Sequence, residues 1–142
     1  SAPEQVSRWG FLSHPRREQA SGALIDRFRI KAKSSLQAVR ELSGGNQQKV
    51  ALARLICADA KVLLLDEPTR GIDVGAKNEI YQLMNRLAAE GRGILFVSSY
   101  LPEVLGMADS VYVMCRGTIS RKYRVEELDQ ERVMALATGV ES

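Results

Sequence analysis

Histidine is nearly absent from this chain, with a single copy at His14, and cysteine occurs only twice, at Cys57 and Cys115. Zinc sites need clustered Cys and His at short spacings, and no such cluster exists. The two cysteines stand far apart, each among apolar neighbours, which predicts buried, reduced thiols of a cytosolic protein rather than a disulfide. Aromatic residues make up only 6% of the sequence, with one tryptophan, Trp9, a candidate core or interface anchor. No apolar run reaches the roughly 20 residues that span a bilayer, and no secretory signal is apparent. Low-complexity tracts and internal repeats are missing too.

Charge is unevenly spread. The formal net charge is +3, and residues 1–41 hold eight Arg/Lys against four Asp/Glu, an excess of four that leaves the remainder slightly acidic. Without interleaved aromatics or a recognition motif, this basic segment reads as a solvated helix face, and no nucleic-acid partner is expected. At 142 residues with 45% apolar content, the chain can build one core but not two comfortable domains.

The informative stretch runs from Leu42 to Asp73, LSGGNQQKVALARLICADAKVLLLDEPTRGID. Two adjacent glycines make Leu42 to Gly45 a poor helix, so the spacing predicts a glycine turn with Asn46 capping the helix that follows. A helix start behind Ser-Gly-Gly offers free backbone N–H groups and a positive dipole end, a combination that suits phosphate. Taken alone, Ser-Gly-Gly reads rather as a flexible linker. Val62 to Leu65 is a continuous apolar run, expected of a strand buried on both faces of a parallel sheet. Asp66 and Glu67 fall at its C-terminal edge, where open α/β sheets place their ligand chemistry. An acid pair there is also compatible with a plain helix cap, as is Asp73 before the helix that begins near Gly75.

Around this stretch the periodicity predicts further elements. A helix is expected from Pro15 to about Lys33, with Ala20, Leu24, Ile25 and Phe28 as its apolar stripe. Ala76 to Ala89 carries Ile80, Leu83, Met84 and Leu87 at helical spacing, closed by Gly91. Gly93 to Ser98 reads as a second buried strand, Pro102 to Met107 as a short helix, and Ser110 to Met114 as a third strand. Arg116-Gly117 turns that strand back into Thr118 to Arg124 as a hairpin, and Glu126 to Thr138 is expected to be helical. Strands alternating with helices imply an α/β layer.

These motifs resemble those of a known family. LSGGNQQKV is similar to the signature motif of ATP-binding-cassette (ABC) ATPases, VLLLDEP to their Walker B strand, and Thr69 to Asp73 to their D-loop. PTRGIDVGAK and SSYLPEVLGMAD resemble most the second ATPase domain of double-cassette importers of ribose-type monosaccharides. The resemblance runs from Leu42 to about Val140. It implies an α/β, P-loop NTPase fold of which only part is here: a parallel sheet flanked by helices in residues 42–142, and part of the α-helical subdomain in residues 1–41. None of the eleven glycines is followed by lysine, so the phosphate-cradling Gly-x-x-x-x-Gly-Lys-Ser/Thr is absent, as is a recognisable Q-loop. The chain is thus expected to be the C-terminal part of an ATPase domain, inactive alone.

The resemblance assigns roles to residues. Ser43, Gly44, Gly45, Asn46 and Gln47 would contact ATP bound to a partner domain, and Asp73 would link the sites across the interface. Asp66 would hold Mg²⁺, through water, and Glu67 would orient or deprotonate the attacking water. The switch histidine falls at Ser99, where serine presents no cationic ring to the γ-phosphate. An intact signature with an impaired site in cis implies that Ser43 to Gln47 complete the site of the first cassette of the same polypeptide. The implied partners are ATP, that cassette, transmembrane permease subunits and, indirectly, an external sugar-binding protein. The implied location is cytoplasmic, peripheral on the inner face of the bacterial membrane. Self-association of the chain is also expected, through an uncovered sheet. A non-transport ABC protein acting on ribosomes or DNA, and a non-catalytic module of the same fold, remain as alternatives.

Overall fold

Two apolar stripes and a pair of short β segments organise the N-terminal part of the molecule. The computed structural model describes the backbone of residues 7–8, 11–12 and 14–140 and side-chain environments from residue 18 to 140, so Trp9 lies outside the described residues. Strands β1 (Ser7–Arg8) and β2 (Phe11–Leu12) pair antiparallel. Helix α1 (His14–Arg27) follows and ends well before Lys33. It stops because Arg29 turns into the left-handed region at φ 48°, which lets Phe28 and Ile30 on either side bury. A single 3-10 turn at Val39–Glu41 leads into helix α2 (Gly44–Cys57).

Strand β3 (Val62–Asp66), helix α3 (Val74–Ala89) and strand β4 (Gly93–Val97) form a β-α-β unit, with β3 and β4 hydrogen-bonded neighbours. Gly93 N–H donates to Lys61 O (2.9 Å), so the two strands start side by side and run the same way. The core of this unit gathers Leu52, Ala53 and Ile56 of α2, Leu63 of β3, and Ile80, Leu83, Met84 and Leu87 of α3. The stripe expected for α3 is therefore the stripe that is buried. The expectation for the strand is corrected. Leu63 is fully buried, but Val62 and Leu64 are 60% and 70% exposed, and Leu95 of β4 is exposed as well. The apolar run thus has one buried side rather than two.

A second compact unit begins at Val97. It holds helix α4 (Leu101–Met107), strands β5 (Ser110–Val111), β6 (Met114–Cys115), β7 (Thr118–Ile119) and β8 (Tyr123–Arg124), and helix α5 (Gln130–Thr138). The expected hairpin is present: Met114 faces Ile119, Cys115 faces Thr118, and Arg116 and Gly117 both take positive φ at the tip. Such a turn matches the right-handed twist of the strands. The expected continuous strand over Ser110 to Met114 is instead broken. Val113 O accepts from Ser120 N–H while Val111 faces Tyr123, so Arg121 and Lys122 together oppose Tyr112 alone, a bulge that interrupts the ladder. Arg121 lies over the Tyr123 ring at 4.0 Å. The last helix starts at Gln130 rather than Glu126, because Asp129 caps it by accepting from Arg132 N–H (2.8 Å). Val111, Val113, Tyr123, Val133 and Leu136 make this unit's core.

Both cysteines are free thiols, and both are half-buried, less enclosed than their apolar neighbours suggested. Among the described residues no helix is long and apolar enough to cross a membrane.

Candidate functional site

Helix α2 starts earlier than two glycines would allow on propensity alone. Ser43, not Asn46, is the N-cap residue, with extended φ/ψ of −61° and 155°, and Gly44 and Gly45 are the first helical residues. The close approach of α3 explains the second glycine. A Cβ at Gly45 would stand 2.6 Å from the Ala76 Cβ, nearer than real side chains come, whereas at Gly44 the nearest atom would be Gly71 O at 3.8 Å. Tertiary packing thus overrides the helix penalty of about 1 kcal/mol per glycine. It also sets the signature helix directly against the Thr69–Asp73 loop and the start of α3.

Ser43 spends its backbone, not its side chain, on the helix. Its carbonyl accepts from Gln47 N–H (2.9 Å), and its hydroxyl makes no capping bond. Asn46, which is 9% exposed, instead accepts from Lys31 N–H through Oδ1 (2.8 Å) and donates from Nδ2 to Ser43 Oγ (2.8 Å). The Gln47 side chain folds back to donate to Leu42 O (2.9 Å). Ser43 and Gly44 are exposed, and the first turn of the helix carries no acidic residue. The unpaired N–H groups and the dipole at this end favour an anion.

Lys49 locks the back of the same helix. It is 3% exposed, donates to Arg29 O (2.9 Å) and pairs with Glu79 Oε2 of α3 (2.5 Å). The Lys49 hydrogen bond holds the Glu79 carboxyl below the usual carboxylate range, partial burial opposing it less strongly. A depressed carboxyl stabilises the fold above its unfolded pKa, and that contribution disappears as pH falls through the lowered folded value. Glu79 is half exposed, so solvent screening limits the contribution to about 1 kcal/mol. Chemical denaturation of Glu79→Gln beside the wild-type protein should show that deficit at pH 7 and none in strong acid.

Asp66 ends β3 exposed, on a groove of about 480 Å³ that it shares with Gln48, Arg54 and Pro68. Glu67 is half-buried, has partners of its own, and adopts φ 45°, a left-handed conformation that strains a side-chain-bearing residue. Its carbonyl accepts from Arg70 N–H (3.1 Å). Asp73 caps α3, accepting from Ala76 N–H (2.9 Å), so the capping alternative is realised there. Ser99 lies in the second unit, exposed and engaged in contacts, just after Ser98, whose hydroxyl donates to the buried Glu103 (2.6 Å). Ser43 to Gln47 therefore form one cluster at the head of α2, in contact with the Gly71–Ala76 region. Asp66 and Glu67 follow β3. Among the described residues, no group of three or more His, Cys, Asp or Glu side chains is arranged as a metal site. Lys31, Lys49 and Glu79 were not singled out from sequence, since nothing local marks a Lys or Asn for partners 15 to 30 residues away.

The family model for ABC transporters matches residues 4–70, which takes in the Ser43 cluster and Asp66 to Pro68. The match takes in just under half of the chain, which is similar there to ABC transporters. The match reaches further towards the N-terminus than the motifs that first suggested it. The ribose import ATP-binding protein RbsA 2 of Rubrobacter xylanophilus is 51% identical over 140 residues, which is 99% of this chain and 27% of that protein. The xylose import ATP-binding protein XylG of Geobacillus kaustophilus is 45% identical over 138 residues, which is 97% of this chain and again 27% of the relative. The chain thus spans about a quarter of the length of the curated relatives it matches. Among solved structures, a nucleotide-free ATP-binding cassette of an ABC transporter superposes with a TM-score of 0.73 at 25% identity, over 91% of this chain and 50% of that one. A dimeric bacterial ABC transporter cassette superposes with 0.67 at 22% identity, over 83% and 51%. The fold is that of part of an ABC ATPase cassette, an α/β arrangement of the P-loop NTPase kind.

Proposed function

We propose that this chain is part of the ATP-hydrolysing subunit of a monosaccharide importer, and that Ser43 to Gln47 complete an ATP site held mainly by a partner cassette. The observation that carries the reading is the head of α2. An exposed Ser43-Gly44 pair opens a 14-residue helix, and the serine hydroxyl makes no capping bond to its backbone. Backbone N–H groups and that hydroxyl bind the terminal phosphate, and the dipole compensates its charge. The likeness to ribose and xylose import proteins supports the substrate class.

In this reading Asp66 supplies one ligand to Mg²⁺, direct or through water, and phosphate oxygens and water complete the octahedron. An exposed carboxylate at the C-terminal end of a strand fits that part. Glu67 orients the attacking water. Ser99, at the switch position, has no cationic ring, which leaves the Asp66–Glu67 site slow. Asp73 combines helix capping with a contact across the cassette interface. Residues 1–41 belong to the helical subdomain that meets the permease pair, on the cytoplasmic face of the membrane, with an external sugar-binding protein delivering the substrate.

The test is fractionation followed by uptake. The full-length protein should sediment with membranes and drive ATP-dependent uptake of a labelled pentose into vesicles that contain its permease. Sedimentation with ribosomes, and no support of uptake, would sink the importer reading.

A further inference from the structure

The geometry points to Asn46 as a positioning residue that aims the Ser43 hydroxyl hydrogen outward, towards the anion in front of α2. This rests on the reading of Ser43 as a phosphate contact and goes beyond it. Asn46 itself then holds no nucleotide.

The inference follows from which atoms can donate. The two ends of an asparagine amide are nearly indistinguishable by shape, and only their partners assign them. Here one partner is the backbone N–H of Lys31, which can only donate, so the atom 2.8 Å from it is Oδ1. The other end is then the NH₂ group, and at 2.8 Å from Ser43 Oγ it can only donate. Ser43 Oγ must accept, and its own hydrogen must point elsewhere. Among the described residues the bond from Asn46 is the one that Ser43 Oγ makes, and it leaves the hydrogen unused. Ser43 is exposed on an open cleft of about 400 Å³ whose lining also carries Lys31 and Lys33 against the single carboxylate of Glu41, a net positive setting that favours an anion. An accepted hydrogen bond also polarises the hydroxyl and makes it a stronger donor. Asn46 is more than nine-tenths buried, so packing fixes the amide and hence the aim. The same amide ties that aim to the loop that carries Lys31.

A purely structural Asn46 would need only its bond to Lys31. Asn46→Asp separates the two roles, because a carboxylate still accepts from Lys31 N–H but turns Ser43 into the donor and its hydrogen inward. ATP hydrolysis by the full-length protein should be compared for wild type, Ser43→Ala, Asn46→Asp and the double variant. Loss of a single donor to a developing anion costs roughly 100- to 1,000-fold in kcat, and both single variants should fall in that range. In the Ser43→Ala background, Asn46→Asp should add less than about threefold, since only its charge then remains to act. Equal losses from Asn46→Asp in both backgrounds would overturn the proposal while leaving Ser43 as a phosphate contact. A Ser43→Ala protein of full activity would overturn the phosphate reading itself, and the proposal with it. If Asn46→Asp does not fold, neutral Asn46→Ala serves in the same cycle. Its smaller loss should be confined to the Ser43 background, and equal losses would again overturn the proposal.

Discussion

Ser43→Arg in the full-length protein should reduce ATP hydrolysis by about a hundredfold or more, the scale seen when a preorganised anion donor is removed. The reason is geometric. Ser43 stands exposed at the head of α2 with its hydroxyl free of capping duty, and Gly44 beside it adds no bulk. Arginine would fill the space that a phosphate takes up between the helix and a partner cassette, and would replace one aimed donor by a long, mobile one. Steady-state assays would separate this from a folding defect, since position 43 has no buried side chain to lose. In the same assay Glu67→Gln should leave activity within roughly threefold of wild type, because the proposed reading puts the productive nucleotide on the partner cassette. A more damaging Glu67→Gln would reverse the assignment of the productive site.

Gly45→Val should be the most destabilising substitution in the signature helix. Even a single Cβ at this position would lie 2.6 Å from the Ala76 Cβ and 3.4 Å from Ile72 Cγ2. Relief requires α2 and α3 to move apart, which would disturb Leu52, Ala53, Leu83 and Leu87 behind them, all buried. Overpacking of this kind costs about 1–3 kcal/mol per insertion, and the two extra methyl groups of valine put the change at the upper end. Gly45→Ala should cost less, because alanine regains about 1 kcal/mol of helix propensity. Combining Gly45→Ala with Ala76→Gly removes the clash and should restore most of the stability, a non-additivity that denaturation curves would read directly. Additive losses would mean that the two helices are not held by this contact.

Much of the fold was legible from periodicity. The stripe of Ile80, Leu83, Met84 and Leu87 marked α3 to within two residues of its observed start, and Arg116-Gly117 marked the hairpin. Departures occur where a distant partner decides. Propensity pushed the start of α2 past Gly45, but only glycine fits against Ala76, so the helix runs through it. The α1 pattern continued past Arg27, yet Lys49 draws in the Arg29 carbonyl and the chain turns there. A bulge at Arg121–Lys122 divided a strand that no local signal interrupts. Residue types and order singled out Ser43, Asp66, Glu67 and Asp73 as candidates. They could not show that Asn46 faces Lys31 and Ser43, because hydrogen-bond direction depends on a backbone group 15 residues away.

The central claim is that Ser43 works on a nucleotide held by another domain, and site-directed labelling tests it most directly. Ser43→Cys would be introduced into full-length protein in which Cys57 and Cys115 have been replaced by alanine. The protein would then be treated with an ATP analogue that carries a thiol-reactive group on its γ-phosphate. Labelling at position 43 should vanish when the phosphate-binding lysine of the first cassette is replaced, and persist when its counterpart in the second cassette is replaced. The opposite dependence would place Ser43 on its own domain's nucleotide and contradict the account.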